Sequence, residues 1–123
     1  KNKQLIKPVN LMEKNEDTSA KWRKYVNFQL KTKYKKLYSK LASVIYLKTQ
    51  SFNLLRSWRI KQERKLKTKK NINSKVMTNK EVKRFMMTYE RITLQMFKDM
   101  PKISKVVLSL NKFHQINNIR FAS

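Results

Sequence analysis

Few side chains in this 123-residue chain could make or break bonds. It has one histidine, His114, and no cysteine, which excludes disulfides, thiolate metal sites and cysteine nucleophiles and fits a reducing compartment. No acid pair and no metal-ligand spacing stands out among the seven Asp and Glu residues. What the chain offers in quantity is cationic: 31 Lys and Arg give a formal net charge of +24. Such a charge points first to nucleic acid or an anionic membrane surface, because clustered Lys and Arg release counterions when they bind phosphates. Lys, Asn and Ile are abundant everywhere in the chain, however, as A/T-rich codons would make them, and this weakens the charge as a functional signal.

The elements that must position these cations are legible in the periodicity. Residues Leu5 to Met12, interrupted by Pro8, and the acidic stretch Glu13 to Ser19 read as a connector. From about Thr18 the apolar positions Trp22, Val26, Leu30, Tyr34, Leu37, Tyr38 and Leu41 recur at three- and four-residue steps, predicting one long helix with Trp22 as packing. Val44 to Leu47 is a short apolar run of the kind buried on both faces of a parallel sheet. Ser51 can cap a second helix, along which Phe52, Leu55, Trp58, Gln62 and Leu66 trace one side before the basic run Lys67 to Lys70. The polar segment Asn71 to Met77 reads as a loop. Thr78 with Glu81 then makes a capping box for a third helix, whose apolar face runs Val82, Phe85, Met86, Tyr89, Ile92, Met96, Phe97 and Met100 until Pro101 stops it. Val106 to Leu110 predicts a second strand and Ile116 to Phe121 a short edge strand.

This alternation is that of a layered α/β domain, and the length suits one core or part of one. The strand count is low for the helices present, since a parallel sheet is covered on both faces, so partners outside these residues are expected. Glycine, normally about 7% of residues and the residue of phosphate loops, is absent, and the first residue is Lys1. Both facts fit a glycine-bearing part lying upstream. No apolar run approaches the ~18 residues of a membrane span, which makes a soluble, cytoplasmic protein the expectation.

Four blocks carry a resemblance: Pro8-Val9-Asn10-Leu11-Met12-Glu13 with Glu16-Asp17; Trp22-Arg23-Lys24-Tyr25-Val26-Asn27; Ser51-Phe52 through Trp58-Arg59-Ile60-Lys61-Gln62-Glu63; and Phe85 through Tyr89-Glu90-Arg91-Ile92-Thr93. In this order they resemble the C-terminal half of D-glycerate 3-kinase-like P-loop kinases. The resemblance implies that residues 1–123 are the C-terminal part of a single P-loop kinase domain, a parallel sheet flanked by helices, whose remainder is its partner. It implies ATP and Mg2+ as co-substrates and phosphate transfer to a hydroxyl of a small acid such as D-glycerate. The chain has no G-x-x-x-x-G-K-[ST] loop, which in the family precedes the segments seen here, so activity from these residues alone is not expected. Trp58-Arg59-x-x-Gln62-Glu63 resembles the family's lid-like segment, which makes Arg59 the first candidate for a phosphate or ATP contact and Gln62 the second. Arg64 and Lys65 beside them read as a solvated face. Arg23, Asn27 and Arg91 are the candidates for the acceptor substrate. Related sequences follow the last strand with an Asp-x-x-His-like turn; here Asn111 replaces the acid and Phe113 precedes His114, so His114 reads as a turn residue rather than a general base.

Two other readings compete. A basic helical nucleic-acid-binding module is supported by Lys31 to Lys40 and Lys61 to Lys70, and would place aromatics and cations together on exposed faces. Tyr34, Tyr38, Phe85 and Tyr89 instead fall on apolar stripes that a core would bury. An inactive kinase-like partner protein would keep the fold and lose the chemistry.

Overall fold

The computed structural model describes residues 3–68 and 75–122. Lys69, Lys70 and residues 71–74 of the loop read at Asn71 to Met77 lie outside the described residues. The chain divides into two compact units, Lys1–Val44 and Ile45–Ser123. Among the described residues no helix is long and apolar enough to cross a membrane.

The first unit is helical. Helices α1 (Lys3–Ile6) and α2 (Leu11–Glu16) occupy the stretch read as a connector, with Pro8 between them. The Asn10 side chain caps α2 by accepting from the Glu13 N–H at 3.0 Å. The Asp17 carboxylate then accepts from the backbone N–H groups of Trp22 at 2.9 Å and Arg23 at 3.1 Å, which starts α3 (Lys21–Gln29). The chain turns into α3 through Ala20, held left-handed at φ 57° and buried.

The long regular helix expected from Thr18 to Leu41 is three pieces: α3, a π-helical turn at Leu30–Tyr34, and α4 (Lys35–Tyr38). A π turn takes one more residue than an α turn, and the Thr32 hydroxyl donates to the Phe28 carbonyl at 2.8 Å just where the ladder widens. The Ser39 N–H still reaches the Lys35 carbonyl, and after it come tight three-residue bonds, Lys40 N–H to Leu37 and Leu41 N–H to Tyr38. The stripe is also not buried: Trp22 is 61% exposed and Tyr38 56%. Trp22 is therefore not a packing residue: its ring stacks on the likewise exposed Tyr25, centroids 5.5 Å apart, rather than on a core.

The second unit is mixed α/β: β1 (Ile45–Lys48), α5 (Phe52–Thr68), α6 (Asn79–Met87), α7 (Glu90–Ile103), β2 (Val106–Leu110) and β3 (Ile116–Phe121). β1 pairs parallel with β2, and β2 antiparallel with β3. Register decides the two faces. Tyr46 stands beside Val107, and both are buried on the side where α7 packs against β1. On the opposite face Ile45 and Leu47 align with Val106 and Leu108, and these with Phe121 and Ile119. All six are apolar, yet Ile45, Leu47, Ile119 and Phe121 are each more than half exposed. The sequence expectation of strands buried on both faces thus holds for the Tyr46 and Val107 face only.

Ser51 caps α5 as its sequence predicts, its hydroxyl accepting from the Leu54 N–H at 3.2 Å. The capping box at α6 is also present in full, Glu81 N–H to the Thr78 hydroxyl and Thr78 N–H to the Glu81 carboxylate. Phe52, Val82 and Met86 form the core, with Leu55, Ile60, Met77, Tyr89, Leu94 and Phe97 packed around them. The predicted third helix breaks at Thr88 and Tyr89, where the Thr88 hydroxyl takes the Phe85 carbonyl at 2.7 Å and the next N–H bonds shorten their reach. Pro101 does not end α7. It sits in the last turn, and the helix closes three residues on with the Ser104 N–H bonded to the Met100 carbonyl.

Candidate functional site

Arg59 and Gln62 stand one helical turn apart on α5, so their side chains share a face. That face forms one wall of an open cleft of about 550 Å³ in the second unit, lined also by Leu55, Trp58, Lys61 and Lys65. Met86 of α6, Tyr89, Leu110 and His114 complete the lining. Leu110 is the last residue of β2, which puts the cleft at the carboxyl end of a parallel-paired strand. In open α/β sheets ligands bind at that end, where loops and helix termini converge.

The Arg59 guanidinium is held from two sides. Nη1 donates to Gln62 Oε1 at 3.0 Å, and Nη2 lies 2.5 Å from Glu63 Oε1. Glu63 is buried, and its second oxygen accepts from the Met77 N–H at 3.1 Å. Tyr89 faces this charge: burial raises its phenol pKa, and the Arg59 cation draws it back down. Lys65, read from sequence as part of a solvated face, lines the cleft with Lys61, and no carboxylate is among the lining residues. The arrangement is a cationic wall facing apolar and aromatic groups. It suits a ligand that carries oxyanions at one end.

His114 takes the turn role expected of it. It has φ 65°, and the turn from Asn111 to Gln115 is organised by Asn111 Oδ1, which accepts from the N–H groups of Phe113 at 2.8 Å and Gln115 at 3.1 Å. Asn111 is thus used on backbone geometry. Trp58 Nε1–H donates to the Lys112 carbonyl at 3.2 Å and ties α5 to this turn.

The acceptor-side candidates are not gathered here. Arg91, in the first turn of α7, does not line the cleft. Arg23 and Asn27 belong to the first unit. Asn27 is exposed on α3, whereas Arg23 is buried and already occupied: Nη1 is 3.2 Å from Glu13 Oε2, Nη2 donates to the Asp17 carbonyl at 2.9 Å, and Nε lies 3.2 Å from Asp17 Oδ2. Its guanidinium fastens α2 to α3 and has no face open to a substrate carboxylate. Glu63 was read only as part of the lid-like block and given no role of its own, although its place four residues after Arg59 was a usable signal for an ion pair along one helix face.

Among the described residues no group of three or more His, Asp or Glu could hold a metal ion. No family model matches the chain, and no curated protein or solved structure matches it either.

Proposed function

We propose that this chain is the C-terminal part of an ATP-dependent small-molecule kinase of the D-glycerate 3-kinase type, in which the cleft beside Arg59 receives phosphate. The observation that carries the reading is the cleft itself: Arg59, Lys61 and Lys65 on one wall, no lining carboxylate, and a position at the carboxyl end of β2. Phosphoryl transfer depends on positioning and on cations placed where charge develops, and a guanidinium whose fork is fixed in advance serves both needs. Arg59 is the phosphate contact in this reading, and Gln62 holds it. Lys61 and Lys65 add field at the rim. Trp58 and Tyr89 offer flat apolar surface to the rest of the ligand.

ATP would supply the phosphoryl group, and magnesium the charge that bridges its phosphates. The residues here fit the phosphates but not the metal, for which the described residues hold no carboxylate cluster. The bare sheet face of Ile45, Leu47, Val106, Leu108, Ile119 and Phe121 supports the same reading, as the side against which the rest of such a domain would pack. The test is ADP release with D-glycerate by the product of the complete reading frame, wild type against Arg59→Ala. A loss of at least tenfold in kcat/KM is expected, and unchanged turnover removes Arg59 from the site.

One observation favours a second reading. Trp22, Tyr25, Phe28, Tyr34 and Tyr38 are exposed along the helical run that also carries Lys21, Lys24, Lys31, Lys33, Lys35 and Lys36, which is the arrangement expected of a single-stranded nucleic-acid binder. Binding of single-stranded RNA with a steep salt dependence, weakened by Tyr34→Ala together with Tyr38→Ala, would favour it over the kinase.

A further inference from the structure

We infer that Glu63 is a positioning residue that fixes the Arg59 guanidinium over the cleft and couples it to the entrance of α6, an inference that rests on the reading of Arg59 as a phosphate contact. A carboxylate 5% exposed is costly unless both its oxygens are used. Both are. Oε1 lies 2.5 Å from Arg59 Nη2, and Oε2 accepts from the Met77 N–H at 3.1 Å.

With Gln62 Oε1 on Nη1 at 3.0 Å, each terminal nitrogen of Arg59 is tied to its own helix. A guanidinium has five N–H donors, so these two bonds orient the fork and leave donors for an oxyanion. An untethered arginine would lose rotamer freedom when it met the ligand, and the tether removes that cost beforehand. The other half of the carboxylate acts at a distance in sequence. Met77 directly precedes Thr78, the cap of α6, and α6 carries Met86 into the lining of the cleft. One side chain therefore links two elements that line the cleft: α5 through Arg59, and the entrance of α6 through Met77.

The experiment uses the full chain with Trp22→Phe, so that Trp58 alone reports, and inorganic pyrophosphate as the probe. Trp58 fluorescence gives the affinity, and amide exchange gives the state of Met77. Glu63→Gln has one acceptor oxygen and can serve Arg59 or Met77 but not both, whereas Glu63→Leu serves neither. Pyrophosphate affinity is expected to fall about threefold in Glu63→Gln and about tenfold in Glu63→Leu, the latter equivalent to about 1.4 kcal/mol. Arg59→Ala should abolish binding. Pyrophosphate should slow Met77 amide exchange in the parent and leave it unchanged in Glu63→Leu. If Glu63→Leu loses its native fold, Glu63→Gln decides by the same two readouts. Affinity and Met77 response equal to the parent in the Glu63 variants, with Arg59→Ala inactive, overturn the role of Glu63 and leave the phosphate reading standing. A parent that does not bind, or an Arg59→Ala variant that binds as well, overturns the phosphate reading itself.

Discussion

Trp58 and His114 meet edge to face with ring centroids 3.8 Å apart, and through this contact α5 is fastened to the turn between β2 and β3. The Trp58 indole adds a hydrogen bond to the Lys112 carbonyl in the same turn. Trp58→Phe keeps an aromatic ring and removes the donor. We expect a cost of about 1 kcal/mol in urea unfolding, with faster amide exchange at Gln115, whose N–H depends on the turn. Unchanged exchange at Gln115 would show that the turn is held by Asn111 alone.

Arg23 gathers Glu13 and Asp17 within the first unit. Arg23→Met leaves two largely buried carboxylates without their cation, and breaking a buried pair from one side costs about 3–5 kcal/mol. Amide exchange should therefore rise across α2 and α3. The amides of α6, in the second unit, serve as the internal control.

Among the described residues two are held left-handed, Ala20 and His114. Ala20 is buried and makes no side-chain cap bond, so Ala20→Gly should stabilise the first unit by up to about 1 kcal/mol. His114→Gly relieves the same backbone but loses the ring against Trp58. It is expected to be neutral or destabilising, and opposite signs for the two substitutions in thermal melts are the measurement.

Burial raises the phenol pKa of Tyr46 above its ordinary value of about 10. The group therefore keeps its proton in the folded chain after the unfolded chain has lost it. Its contribution is complete below pH about 10 and declines as pH rises through the higher folded value. Tyr46→Phe should flatten the alkaline limb of stability measured in urea from pH 8 to 11. Glu81 runs the other way: the Thr78 backbone N–H and hydroxyl lower its pKa, so the capping box is complete above the ordinary carboxylate range and weakens as pH falls through the depressed value.

The open sheet face sets a solution property. Leu47→Glu and Ile119→Glu place charge on two strands of that face without touching the Tyr46 and Val107 side. In analytical ultracentrifugation of the chain by itself, the double variant should sediment as a monomer at concentrations where the parent associates, with its melting temperature held. A parent that stays monomeric at high concentration would contradict an adhesive face.

What was legible in the sequence was local. The Thr78–Glu81 box and the Ser51 cap depend on residues three apart, and both stand as read. The two strands pairing in parallel were visible as apolar runs, and the edge strand was read in its place at Ile116 to Phe121. Arg59 and Gln62 also meet because spacing along one helix fixes their neighbourhood. Features that depend on competition for backbone carbonyls were not legible. The hydroxyls of Thr32 and Thr88 take carbonyls near the π turn and near the break before α7, while the apolar period runs on unaltered. The burial of Arg23 was hidden because its partners lie six and ten residues back across a turn. The period of Trp22 correctly gave a face. It carried no information on whether anything covers that face.

The parallel pairing of β1 with β2 orders events during synthesis. Ile45 finds its partner in Val106, roughly sixty residues later, so at translation rates of about 5–20 residues per second β1 waits some 3–12 s after leaving the ribosome before its ladder can form. The helices α5 to α7 are made in that interval from short-range bonds. Tyr46 can then be covered by α7 before any strand reaches β1, and the growing chain has a helical scaffold onto which the sheet closes last.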